Sequence, residues 1–299
     1  MLRPLLRRPN RLSGRRPDLP LALFLGIVAL WYAALSLLGR APDPVERSLE
    51  LRAARAMEKA IAAVREEALA RGIEIDPAQD PARTGLVGLP FSGLTTTLGS
   101  LPAKRTGAQP DAAALLARLL REAGAREGDL VAIDSSGSFP GFAVAAIVAA
   151  ESAGIRPVVV VSIGASTYGA NRPELSIADM LEALARRGAI RSGPVAVSPG
   201  GGDDAGEGMD QDELEAALAR AASAGVRLLK PAGPSRDVAE RLSVLRESSG
   251  GRRPAAFVSI GGNWAAEAME RAYRAEGVPV LRILDIKDLC ARTGLAFDP

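Results

Sequence analysis

The sequence has no histidine and only one cysteine, Cys290, among its 299 residues. Without an imidazole the chain cannot build a Ser-His-Asp triad, a Cys-His dyad or a His-ligated zinc site. A single thiol also excludes internal disulfides, thiolate zinc sites and cysteine-held iron–sulfur clusters, and its apolar neighbours indicate a core thiol. We therefore predict no cofactor and no metal, and any covalent chemistry would have to use serine, lysine or carboxylates.

Aromatic residues make up only 4% of the chain, which is too few for a base-stacking platform. The net charge of +2 is unevenly distributed: six arginines and one aspartate give residues 1–18 a charge of +5, which leaves −3 for the rest. The body of the chain therefore has no basic surplus, and we predict no nucleic-acid partner. The hydrophobic fraction of the whole chain, 47%, is ordinary for a protein with a globular core.

An uncharged run of 21 residues, 19–39, follows the basic segment. A helix over this run would be about 30 Å long, which matches the hydrocarbon core of a membrane. Its Leu, Ile, Val and Phe side chains favour insertion by about 5 kcal/mol. Because positive residues stay inside, we predict a single-pass signal anchor in the cell membrane, with residues 1–18 as a cytoplasmic tail. A buried globular helix and a cleaved signal peptide are the alternatives.

Apolar residues then recur at roughly helical spacing from Val45 to Leu69, and Gly72 can end such a helix. We predict a juxtamembrane helix over 43–72 that packs on the body, with a coiled-coil partner as the alternative. The rest of the chain, residues 73–299, is predicted to form an extracytoplasmic domain. Its first part, residues 73–110, shows little periodicity and is rich in Pro, Gly and Thr.

From residue 111 onward, helix-like segments alternate with short apolar strands. The strands lack polar alternation, as expected where helices cover both faces of a parallel sheet. The pattern predicts an α/β fold with a doubly wound, mostly parallel, Rossmann-like sheet of five or six strands. The predicted strands are residues 130–134, 157–164, 194–198, 226–230, 255–262 and 278–283, and the predicted helices are residues 112–124, 142–154, 177–188, 212–225, 238–250 and 264–277.

Small polar residues follow four of these predicted strands. In open α/β sheets, ligands bind beyond the carboxyl ends of the strands. Glycine allows close backbone approach, serine and asparagine donate hydrogen bonds, and helix N-termini attract anions. We therefore predict a polar crevice for a phosphate or carboxylate, although tight turns and helix caps need the same residue types. The strings are residues 134–138, 162–167, 198–204 and 259–263.

Lysine is scarce, with four residues against 33 arginines, so Lys104 in a Thr- and Gly-rich segment stands out. It could be the base for Ser136 or Ser138, a point charge for a ligand, or a solvated loop lysine. Asp203 and Asp204 could bind Mg²⁺ or act as acid and base, but solvation in a flexible glycine-rich loop is the simpler interpretation. The chain contains no P-loop and no nucleophile elbow.

Five strings are distinctive when taken together: TTTLGSLPAKRT (95–106), SGSFP (136–140), GASTYGANRPE (164–174), GGGDDAGEG (200–208) and SIGGN (259–263). In these strings the chain resembles the poly-gamma-glutamate system protein family, a membrane-anchored group encoded beside the machinery that makes and exports the poly-γ-glutamate capsule. The resemblance covers residues 95 to 263 together with the anchor. It implies a process, capsule biosynthesis and export, and implies neither a reaction nor a catalytic residue.

We therefore expect a membrane-anchored accessory protein that binds poly-γ-glutamate or its synthase and export complex on the outer membrane face. Loops that carry Lys104, Arg105 and Arg172 could hold the carboxylates of this polymer. The alternatives are an extracytoplasmic hydrolase or transferase with a Ser–Lys or carboxylate site, and a small-anion sensor. The residues expected to bind ligand are Thr96, Thr97, Lys104, Arg105, Ser136, Gly137, Ser138, Gly164, Ser166, Asn171, Arg172, Gly201, Gly202, Gly261, Gly262 and Asn263.

Overall fold

The computed structural model describes residues 19–38, 44–231, 233–262 and 265–299. The predicted basic tail, residues 1–18, lies outside the described residues, and so do Gly39 and Asp43 at the ends of two predicted helices. The chain divides into two units, Met1–Asp43 and Pro44–Pro299.

The first unit contains helix α1, Leu19–Leu38. The side chains described in this helix are those of residues 23–33, and all of them are exposed. Within the part of the chain that the structure describes, no helix is both long enough and apolar enough to cross a membrane. The membrane anchor therefore stays a prediction.

The second unit is built on a six-stranded sheet in which every neighbouring pair of strands is parallel. The predicted α/β fold with a parallel sheet is confirmed. In chain order the strands of this unit are β1 (Thr95–Thr97), β2 (Leu130–Ser136), β3 (Arg156–Ser162), β4 (Ala165–Ser166), β5 (Asn171–Arg172), β6 (Leu175–Ser176), β7 (Pro194–Ser198), β8 (Arg227–Leu228), β9 (Ala256–Ile260) and β10 (Val280–Ile283). The order across the sheet is β10-β9-β2-β3-β7-β8.

Helices cover both faces of the sheet, which explains why its central strands lack an alternation of apolar and polar residues. Along β3, Val159 and Val161 join the core under α4 and α5, whereas Val158 and Val160 face the opposite way and pack with α8 and α9. The helices of this unit are α2 (Pro44–Ala70), α3 (Leu101–Gly107), α4 (Pro110–Glu122), α5 (Pro140–Ser152), α6 (Ile177–Arg186), α7 (Gln211–Ser223), α8 (Pro234–Ser248), α9 (Ala266–Ala275) and α10 (Ile286–Thr293).

Helix α2 belongs to the same unit as the sheet and packs on α4, α5 and α6. Met57, Ala60 and Val64 repeat at helical spacing and are buried on the packed face. The helix ends at Ala70, and Gly72 follows in a left-handed conformation with φ of +73°. A glycine in this conformation closes a helix without the steric cost of a Cβ.

The connectivity of the sheet creates a crevice beside β2. The chain adds β3, β7 and β8 in succession on one side of β2, and then returns to place β9 and β10 on its other side. Beyond the carboxyl ends of these strands, the chain that leaves β2 therefore runs towards β3, whereas the chain that leaves β9 runs in the opposite direction, towards β10. Such a switch point is where doubly wound sheets bind their ligands.

The region without periodicity, residues 73–110, contains only short elements. Strand β1 pairs with β4 in parallel, and α3 packs against α5. The side chain of Asn171 fixes this region: its amide donates to the carbonyl of Leu89 and to Thr95 Oγ1, and its oxygen accepts from the Leu89 N–H. Side-chain hydrogen bonds of this kind replace a repeating apolar pattern, so periodicity does not reveal them.

Candidate functional site

A cavity of about 1130 Å³ opens at the switch point, beyond the carboxyl ends of the strands. Its lining comes from β1, from the ends of β2 and β3, from the loop after β7, and from α8, α9 and the end of β10. Glycine, serine and threonine predominate among the lining residues. These are Thr96, Thr97, Ser136, Ser138, Ser162, Gly164, Gly200, Gly201, Gly202, Glu207, Val238, Gly262, Ala266, Glu267, Ala268, Arg271, Arg282 and Leu284.

The turn between β2 and α5 brings two serines to this cavity. The N–H of Gly137 donates to the carbonyls of Ser162 and Gly164, so this turn is bonded to the end of β3. A methyl group at Gly137 would lie 2.7 Å from the carbonyl oxygen of Ile163, and only glycine permits this approach. Ser138 follows at the cavity, where its Oγ accepts a hydrogen bond of 3.0 Å from the N–H of Ser166.

The glycine-rich loop after β7 is ordered by one aspartate. Gly200, Gly201, Asp203 and Asp204 all have positive φ, a conformation that costs energy at the two aspartates. Asp204 Oδ1 compensates by accepting hydrogen bonds from Ser198 Oγ at 2.7 Å and from the N–H of Gly200 at 2.9 Å. The prediction that Asp204 is a solvated loop residue is wrong, because its side chain is buried.

The buried side chain of Asp204 forms an ion pair with Arg241 of α8. Its guanidinium is 0% exposed and donates to Asp134 Oδ1 and Asp204 Oδ2, both at 2.7 Å. It also donates to Ser162 Oγ at 3.1 Å and to Ser198 Oγ. Burial alone would lower the pKa of Arg241, but the charges of the two carboxylates raise it. The ends of β2, β3 and β7 are thus joined by one charged cluster, which we call the arginine cluster.

Lys104 of α3 forms a second buried site, with different partners. Its side chain is 3% exposed, and its Nζ donates a hydrogen bond of 2.8 Å to Ser166 Oγ in β4. The Nζ also lies 3.6 Å from the centre of the Phe139 ring. Among the described residues no carboxylate lies within 4.0 Å of this nitrogen. Burial lowers the pKa of Lys104 from 10.5 to about 7.

We call Lys104 and Ser166 the lysine–serine pair. Sequence reasoning proposed Lys104 as a base for Ser136 or Ser138, but the hydrogen bond goes to Ser166. Ser138 contacts Ser166 through the backbone instead, since its Oγ accepts a hydrogen bond from the N–H of Ser166. The alternative of a solvated loop lysine is wrong, because α3 and β4 bury the amine.

Half of the predicted ligand-binding residues line the cavity, and four more are buried outside its lining. The eight that line it are Thr96, Thr97, Ser136, Ser138, Gly164, Gly201, Gly202 and Gly262. The four buried ones are Lys104, Gly137, Ser166 and Gly261. Asn263 lies outside the described residues.

Three predicted residues belong to other parts of the unit. Arg105 donates to the carbonyls of Ala78 and Gln79 and forms an ion pair with Asp298 at 3.4 Å. Asn171 is buried in the network of β1 described above, and Arg172 follows it in β5 without reaching the cavity lining. The expected group of three cations, Lys104, Arg105 and Arg172, is therefore not formed at the cavity.

The cations that do line the cavity are Arg271 of α9 and Arg282 of β10, neither of which sequence reasoning identified. Glu267 faces both, at 4.0 Å from Arg271 and 3.5 Å from Arg282. Glu207 adds a second carboxylate to the lining. The charges on the lining therefore balance, and its neutral donors are hydroxyl groups. No signal marked Arg271 or Arg282, because each is one arginine among 33 in the chain.

The fold and this cavity define a doubly wound α/β domain with a polar ligand crevice at its switch point. The described residues contain no group of three or more side chains suited to hold a metal ion. No protein-family model, curated protein or solved structure matches the chain.

Proposed function

We propose that the protein is a membrane-anchored accessory protein of poly-γ-glutamate biosynthesis or export, and that the cavity binds the polymer or part of its synthase complex. One observation carries the proposal. Each of the five strings on which the family resemblance rests contributes at least one residue to the lining of the same cavity, from Thr96 in the first string to Gly262 in the last. Strings far apart in sequence thus converge on one surface.

The chemistry of the cavity suits an amide chain with side carboxylates. The hydroxyls of Thr97 and Ser138 can donate to carboxylates or amide carbonyls, and Arg271 and Arg282 can form charge-assisted hydrogen bonds with carboxylates. Glu267 competes for both arginines in exposed ion pairs, whose displacement costs little, and Arg282 also pairs with the buried Glu270 at 3.5 Å. We expect binding of moderate affinity that weakens with added salt.

The binding test uses the full chain in mild detergent and fluorescein-labelled poly-γ-glutamate, with fluorescence anisotropy as the measurement. Thr97→Trp fills the cavity from an exposed position and should weaken binding at least tenfold. Arg282→Gln removes one charge-assisted hydrogen bond and should weaken it by about tenfold, or about 1.4 kcal/mol. Ser223→Trp and Arg227→Gln are the matched controls, because both residues are exposed and lie outside the cavity lining. Unchanged affinity in Thr97→Trp and Arg282→Gln would contradict the proposal.

The location outside the membrane is a separate part of the proposal and rests on the arginine-rich segment before residue 19. A reporter that is active only outside the cytoplasm, fused after Pro299, should be active. Activity of a cytoplasm-specific reporter at the same position would overturn this orientation.

A hydrolase or transferase that acts on the polymer is the second candidate. The observation in its favour is the hydrogen bond between Lys104 and Ser166, since a buried lysine beside a hydroxyl can serve as its base. Incubation of the full chain with long poly-γ-glutamate, followed by size-exclusion chromatography, distinguishes the two candidates. Shortened polymer favours the enzyme, and unchanged polymer that binds favours the accessory protein.

A further inference from the structure

The lysine–serine pair combines two features that structural residues do not need. A lysine whose only role is stability usually directs its ammonium to water or to a carboxylate. Lys104 does neither, since its neighbours are the Ser166 hydroxyl and the face of Phe139. The amine is thus held 2.8 Å from a hydroxyl in surroundings that disfavour its charged form.

Charged groups on the elements packed around Lys104 do not restore that charge. Helix α5 contains no charged residue before Glu151, at its far end. Arg105, the next residue in α3, is directed to Asp298 and to backbone carbonyls. The charged side chains of α10 are exposed. With its pKa lowered to about 7 by burial, Lys104 is half neutral at neutral pH, and a neutral amine can accept the hydroxyl proton.

We propose that Ser166 is a nucleophile activated by Lys104, and that it accepts the acyl group of a carboxylic ester or amide bound in the neighbouring cavity. Lys104 Nζ takes the proton from Ser166 Oγ as Oγ forms a bond to the carbonyl carbon. The carbon–oxygen or carbon–nitrogen bond to the leaving group then breaks, and the leaving alcohol or amine takes that proton from Nζ. Water, or a second amine, attacks the acyl-serine by the reverse proton path and regenerates the hydroxyl.

The surroundings of Ser166 show from which side a substrate would approach. Gly99 lies directly over the hydroxyl: a methyl group at this position would be 2.6 Å from Ser166 Oγ. Such a distance means that the backbone of Gly99 packs against Oγ, and Ser166 itself is 4% exposed. The residues before Gly99 are Leu98, which is 91% exposed, and Thr97, which lines the cavity. The segment 97–99 therefore covers Oγ, and an acyl carbonyl bound in the cavity reaches Oγ only when this segment moves aside.

The identity of the natural acyl donor rests on the proposed function: if the cavity binds poly-γ-glutamate, the bond attacked is its γ-glutamyl amide. The reactivity of Ser166 does not depend on that assignment. A small acyl donor therefore tests the nucleophile separately from the polymer, and a failure of either can be recognised.

The experiment exposes the full chain in mild detergent to p-nitrophenyl acetate and to an alkyl fluorophosphonate, and follows adducts by intact-mass spectrometry and peptide mapping. We expect one adduct per chain, at Ser166. Ser166→Ala should remove it, and Lys104→Met, which keeps the length of the side chain without the amine, should slow its formation at least a hundredfold. Ser249→Ala is the control, because Ser249 is also buried but lies at the carboxyl end of α8.

The pH dependence of labelling in the unaltered protein needs no substitution and therefore does not depend on whether a variant folds. The rate should rise with pH and reach half its plateau near pH 7, where Lys104 loses its proton. No adduct, an adduct on another residue, or a rate that Lys104→Met leaves unchanged would overturn the proposal. Labelling of Ser166 without binding of poly-γ-glutamate would support Ser166 as a nucleophile and exclude this polymer as its substrate.

Discussion

The arginine cluster and the lysine–serine pair both bury a basic side chain, but they differ in the partners that compensate its charge. Each places a basic side chain in the interior beside the ends of the strands. Arg241 has two carboxylates and two serine hydroxyls as partners, whereas Lys104 has one hydroxyl and one aromatic ring. The first arrangement keeps its charge at every physiological pH, and the second loses it near neutrality. A buried cation with carboxylate partners is a structural support, and a buried cation without them is a group that can exchange a proton.

The largest effect should come from removing the cation of the arginine cluster. Arg241→Met leaves Asp134 and Asp204 buried without the guanidinium that they share. We expect a loss of about 3–5 kcal/mol in the free energy of unfolding, measured by urea denaturation at neutral pH. A loss below 1 kcal/mol would mean that the cluster is not the support described above.

The lysine–serine pair should show itself in the pH dependence of stability. Between pH 7 and 10.5 the unfolded chain retains the proton on Lys104 while the native protein releases it. The free energy of unfolding should therefore rise with pH in this window, by at most about 1.4 kcal/mol per pH unit. Below about pH 7 the contribution of Lys104 should not change with pH. Urea denaturation at about pH 7, 8 and 9 measures the slope, and Lys104→Met should remove it. Equal slopes in both proteins would mean that Lys104 stays charged in the native state.

A smaller effect should come from the Phe139 ring, which is a partner of Lys104 in the lysine–serine pair. The face of the Phe139 ring lies 3.6 Å from the Lys104 nitrogen, and cation–π contacts contribute about 0.5–2 kcal/mol. Phe139→Leu should lower the pKa of Lys104 further, by up to about 1.5 units. The midpoint of the labelling rate against pH measures this change. A midpoint that moves upward would show that the ring disfavours the ammonium.

The smallest effect should come from an exposed arginine. Arg227 pairs with Glu247 at 3.0 Å on the surface, where both side chains are about half exposed. Arg227→Met should change the free energy of unfolding by about 0.5 kcal/mol or less. A loss comparable with that of Arg241→Met would remove the distinction between buried and exposed pairs on which the comparison rests.

The sequence predicts the sheet well because its strands are short apolar runs that alternate with helix-like segments. Each predicted strand overlaps an observed one, although residues 226–230 reduce to Arg227 and Leu228 at the sheet edge. The gathering of Ser136, Ser138 and Gly164 at one edge also follows from the strand order, since parallel strands end on the same side.

The partners of individual side chains could not be predicted in the same way. The bond from Lys104 to Ser166 joins α3 to β4, and both elements are too short to show a period. Arg241 is one arginine among 33, and only the approach of Asp134 and Asp204 from distant segments distinguishes it. Arg105 was expected at the ligand because nothing in its neighbourhood reveals the carbonyls of Ala78 and Gln79 as its partners.

The segment before residue 110 supplies Lys104, Gly99 and two threonines of the cavity, yet none of the six strands of the main sheet. The lysine–serine pair is therefore assembled from two stretches of the chain, with Lys104 supplied before the main sheet and Ser166 supplied between β3 and β7. Exchange of a short stretch around α3 would replace the amine while leaving α2 and all six strands in place, so the same framework could acquire a different chemistry.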